Sequence, residues 1–136
     1  MVTVDPSVQE EYDIMVSSFT AMFSKAMDHI YSKVGIEKVK EHLMLCLPSI
    51  RNAMEECTST KMVNMVLREQ VVKLVNYGHL VGLARQLNVE EALVAAEEFR
   101  QERAEFFRSI RAKKFAAVAM EQIQKSETTH LTVIGY

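Results

Sequence analysis

A chain of 136 residues that is 49% hydrophobic and 25% charged has the make-up of one globular domain rather than of a disordered segment. A net charge of −2 gives no bulk attraction to nucleic acid or to an anionic surface. Two cysteines cannot build a disulfide framework, no run reaches the roughly 18–20 apolar residues of a bilayer span, and nothing resembles a signal peptide, so a reducing, cytoplasmic setting is expected.

The first helix has a sharp start, with Asp5 placed to cap and Pro6 suited to the first helical position. Apolar residues then recur in steps of three and four, at Val8, Tyr12, Met15/Val16, Phe19, Met22/Phe23, Met27, Ile30 and Val34. This predicts a helix over 6–34, roughly 40 Å long at 1.5 Å per residue, with Gly35 as its stop. A second helix runs from Ile36 to about Cys46, and Pro48 opens a third carrying Ile50, Ala53, Met54 and Cys57. The cluster Thr58-Ser59-Thr60 ends that helix and caps a fourth, which the spacing extends through Val71 to Leu74/Val75 before Asn76-Tyr77-Gly78 breaks the pattern. A short helix from His79 to about Leu87 follows. Asn88 with Glu91 gives a capping signal for a long last helix, from Val89 towards Lys125.

The pattern changes at Thr128-Thr129-His130-Leu131-Thr132-Val133-Ile134, which is β-branched and unsuited to helical spacing. The expected organisation is a single helical domain over 1–127 and an extended tail over 128–136. The fold class is all-α: a bundle of five to six helices, long at both ends and short in the middle.

Catalytic signatures are missing: there is no Gly-rich phosphate loop, no G-x-S-x-G, no H-E-x-x-H and no paired-cysteine zinc motif. The carboxylate pairs at 10–11, 55–56, 90–91 and 97–98 are neighbours in sequence, and helical neighbours point about 100° apart. They suit solvated faces better than a shared substrate atom. His42 and Cys46, four apart on a helix, can face one ion together with Cys57 or His79. A buried thiol beside a boundary histidine accounts for the same spacing, and no cofactor is expected.

Three surfaces remain. Tyr12, Met15, Val16, Phe19, Met22 and Phe23 form a stripe on the first helix broader than one neighbour needs, which points to a protein partner or a second copy of the chain. Leu131, Val133 and Ile134 give the tail an apolar face suited to docking. Arg108, Arg111, Lys113 and Lys114 lie beside Phe106, Phe107 and Phe115, a pattern that fits phosphates of RNA or an anionic membrane. The acidic first half of that helix offers another account, in which the bases simply complement the helix dipole. The expected function is a non-enzymatic protein-interaction domain, an adaptor, scaffold or self-association module. A phosphate-binding module is the alternative, and a viral structural or accessory protein fits either.

Overall fold

Long helices form where apolar periodicity runs unbroken, and this chain has two such stretches separated by capped, glycine-marked turns. In a computed structural model, described here for the backbone of residues 6–129 and the side chains of residues 6–113, these become α1 (Pro6–Val34) and α6 (Glu90–Thr129). Between them lie α2 (Ile36–Cys46), a 3-10 turn at Pro48–Ile50, α3 (Arg51–Glu56), α4 (Thr60–Gln70) and α5 (Gly78–Gln86). The all-α class and the long first and last helices hold. Among the described residues there is no strand, only an isolated bridge between Lys73 and Asn76. No helix of the described residues is long and apolar enough to cross a membrane.

The turns follow from their residues. Gly35 takes φ +83° while its amide donates to the Tyr31 carbonyl at 2.9 Å. A Cβ there would meet nothing within 4 Å, so the backbone angle rather than space selects glycine. Ser59 caps α4, its hydroxyl accepting from the Met62 amide at 3.3 Å.

Three boundaries differ from the sequence expectation. The helix expected to reach Val75 stops at Gln70, because Val72 turns inward to 1% exposure and the Lys73 ammonium donates to the Arg68 and Glu69 carbonyls. Those carbonyls thus find partners without another helical turn. Asn88 does not open the last helix; it closes α5. It sits at φ 56°, with the Val89 amide donating to the Ala84 carbonyl at 2.8 Å and its own amide to the Arg85 carbonyl at 3.3 Å. That is the paired hydrogen bonding of a left-handed C-terminal cap. At the far end α6 continues through Thr129, past the expected start of an extended tail at 128. Propagating an existing helix gains one hydrogen bond per residue, which outweighs the small helical penalty of threonine. Residues 130–136 lie outside the description.

α1 and α6 run antiparallel, with Ser7 against Lys113, Glu11 against Ser109, Tyr12 against Phe106, Ser18 against Glu102 and Phe19 against Phe99. Near the far end the Lys33 ammonium donates to the Asn88 carbonyl. Small buried residues, Ala26 on α1 and Ala92, Ala95 and Ala96 on α6, fill one half of this seam, and aromatic rings fill the other. α5 packs on α6, α2 and α4 on α1, and α3 on α2 and α4. The core holds Met15, Phe23, Met27, Ile30, Val39, Met54, Val63, Leu67, Leu80 and Val89, and no charged residue among the described ones. Each such side chain contributes about 1.5–3 kcal/mol by leaving water.

One clasp between the long helices is sensitive to acid. Lys113 bridges to Glu11 at 2.7 Å, and the hydrogen bond from Lys113 holds the Glu11 carboxyl below its ordinary value, helped by Ser109. A depressed folded-state pKa contributes stability above the unfolded value of 4.5, and that contribution disappears as pH falls through the lower folded value. Both side chains are about one-third exposed, so screening keeps the effect modest. Glu11→Gln is expected to lower the urea midpoint at pH 7 and to lower it less at acid pH. An equal loss at both pH values would show that the charge is not what matters.

Candidate functional site

The early end of α4 creates the most distinctive surface. Residues 71–77 fold into a closed turn in which the Lys73 amide donates to the Asn76 carbonyl at 2.9 Å and the Asn76 amide returns to the Lys73 carbonyl at 3.0 Å. The turn sends Val72 into the core and leaves Val75, at its tip, 72% exposed. α6 passes beside this tip. Its residues Arg100, Arg103, Ala104, Phe107, Arg108 and Arg111 are spaced by threes and fours and so share one face. Together with Val75 they line an open cleft of about 530 Å³.

The four guanidiniums are not equivalent. Arg100 is held by Glu97 through two hydrogen bonds of 2.7 and 2.8 Å, which lower the pKa of Glu97 and raise that of Arg100. Arg103 donates to the Leu74 carbonyl at 2.9 Å and lies 4.8 Å above the Tyr77 ring, so it ties the turn to α6. Tyr77 in turn stacks at 5.6 Å on Phe99 and 6.2 Å on Phe19, and burial raises its phenol pKa. Arg108 and Arg111 are exposed and have no hydrogen bond or ion pair among the described residues. Phe107 rests on Phe106 at 5.4 Å and remains 38% exposed. The face thus offers two unpaired cations, two exposed apolar side chains and two arginines already fixed in place.

The residues singled out from the sequence divide clearly. Met15, Phe19, Met22 and Phe23 are buried in the chain's own core, Val16 is half-buried, and Tyr12 is half-exposed with its ring 6.3 Å from Phe106. The chain itself therefore buries four of the six residues of the stripe on α1. α6 covers one side of it and α4 the other, and Arg68 lies over the Phe19 and Phe23 rings at 5.2 and 5.6 Å. Of the basic set, Arg108 and Arg111 lie in the cleft, and Lys113 is engaged by Glu11. The Lys114 side chain and Leu131, Val133 and Ile134 lie outside the described residues. Phe106 is core, whereas Phe107 faces the cleft.

His42 Nε2 stands 3.3 Å from Cys46 Sγ, and His79 lines the same small cleft. Cys57 is elsewhere, buried with its thiol donating to the Ala53 carbonyl at 3.2 Å. Among the described residues no group of three or more His, Cys, Asp or Glu is placed to hold a metal ion. Val75, Arg100 and Arg103 were not singled out from the sequence. The shared face from Arg100 to Arg111 was the available signal for the two arginines, but reading 71–75 as helix hid the turn that completes the cleft. No family model, curated protein or solved structure matches the chain.

Proposed function

We propose that this chain is a non-enzymatic protein-interaction domain that docks an acidic, apolar-anchored segment of a partner protein in the arginine-lined cleft. The observation that carries the reading is the coincidence, on one concave face, of unpaired Arg108 and Arg111 with exposed Val75 and Phe107. Exposed apolar side chains supply the buried contact of an interface, and arginine is the cation most enriched at such surfaces. The lining residues offer only cations and apolar carbon, with no nucleophile or general base among them. The span from Arg100 to Arg111 is about 16 Å at 1.5 Å per residue, enough for roughly five extended residues.

The test is titration of the isotope-labelled full chain with degenerate peptides mixing Asp/Glu with Leu/Phe, followed by amide chemical shifts. Changes centred on Val75, Ala104 and Phe107 are expected, weakening with salt. The double variant Arg108→Glu, Arg111→Glu should lower affinity on the order of tenfold or more while leaving helicity intact. Shifts centred on other surfaces would overturn the proposal. So would binding of polyuridylate RNA or phosphatidylserine vesicles without any response to peptide.

A further inference from the structure

We infer that the group gripped by Arg108 and Arg111 is a phosphorylated side chain of the partner segment. The inference rests on the docking reading above and specifies its chemistry. Two like charges one helical turn apart disfavour each other, and among the described residues no carboxylate pairs with either. Glu105, one turn before Arg108, makes no ion pair with it among the described residues. Arg100 and Arg103 cannot shift to share the load without releasing Glu97 or the Leu74 carbonyl.

A carboxylate carries one charge and satisfies one guanidinium fork. A phosphate monoester carries about −1.5 to −2 at neutral pH and presents three acceptor oxygens, which matches two adjacent forks. Among the residues that line the cleft there is no carboxylate, and Arg108 and Arg111 are its two arginines that no described acid holds. Val75 and Phe107 flank the pair and hold an apolar residue beside the phosphorylated one.

Three fluorescent peptide pools with Leu/Val flanks and a central phosphoserine, glutamate or serine would be titrated against the full chain. The phosphoserine pool is expected to bind on the order of tenfold more tightly than the glutamate pool, and the serine pool most weakly. That advantage should grow between pH 5 and pH 7, as the phosphate loses its second proton near pH 6. Arg108→Lys with Arg111→Lys keeps the charge but removes the planar forks, and should erase most of the preference. Equal binding of the glutamate and phosphoserine pools would overturn the phosphate assignment and leave the docking proposal standing. A preference untouched by the double lysine variant would overturn the assignment to these two arginines. Displacement by inorganic phosphate at concentrations matching the peptide would assign the cleft to a free anion instead. Failure of every pool to bind would remove both readings.

Discussion

Replacing Phe19 by aspartate is expected to unfold the domain rather than to separate a pair of protomers. Phe19 is 3% exposed and stacks on both Phe99 and Tyr77, at 5.6 and 6.2 Å, so it joins α1 to α6 and to the 71–77 turn. Losing a buried aromatic costs about 3–5 kcal/mol. Burying a carboxylate with no partner adds several more, and the sum meets or exceeds the whole stability of a typical domain. Circular dichroism of Phe19→Asp should show loss of cooperative unfolding. Tyr12→Asp, on the same stripe but 47% exposed, should stay within about 1 kcal/mol of the parent. A folded Phe19→Asp protein whose solution mass halves would refute this and return α1 to the surface.

Arg103→Ala is expected to show the next largest effect, on stability and binding at once. Its guanidinium satisfies the Leu74 carbonyl and covers the Tyr77 ring. A charged hydrogen bond contributes about 1.5–3 kcal/mol and a cation over a ring about 0.5–2, so a loss of about 2–5 kcal/mol is expected. Hydrogen exchange should accelerate selectively in the 71–77 turn, and peptide binding should weaken because Val75 loses its fixed position. Val75→Ala is the matched control, 72% exposed, expected to weaken binding with little change in stability. Uniform acceleration of exchange across α1 and α6 would mean that Arg103 supports the whole bundle rather than the cleft.

Much of the architecture was legible because it is local. The stop at Gly35 and the cap at Ser59 each follow from one or two residues whose chemistry suits a single role, whereas the expected cap at Asp5 lies outside the described residues. Asn88 was misread because asparagine serves equally as an N-terminal cap and as a left-handed C-terminal cap, and only the neighbouring hydrogen bonds decide. Val71, Leu74 and Val75 kept helical spacing, yet the interior demanded Val72, and tertiary packing overrode periodicity. The stripe on α1 could be seen but its covering could not, since Phe99 lies eighty residues further along. For the cleft, Arg108 and Arg111 were visible as a basic run, whereas Val75 joins them only once the turn is placed against α6.

The antiparallel seam also sets an order of events at the ribosome. Phe19 is made eighty positions before Phe99, the ring that covers it from α6. At about 5–20 residues per second, the apolar face of α1 waits roughly 4–16 s for Phe99 to be made. The clasp of Glu11 with Lys113 closes a loop of 102 residues, and so forms only when nearly the whole described chain is present. α2, α3 and α4 make their contacts with one another and with α1, and so are free to settle before α6 is complete. The nascent protein therefore carries, for several seconds, an uncovered stripe of Met15, Phe19, Met22 and Phe23 that the finished fold hides, a natural landing place for a holding chaperone.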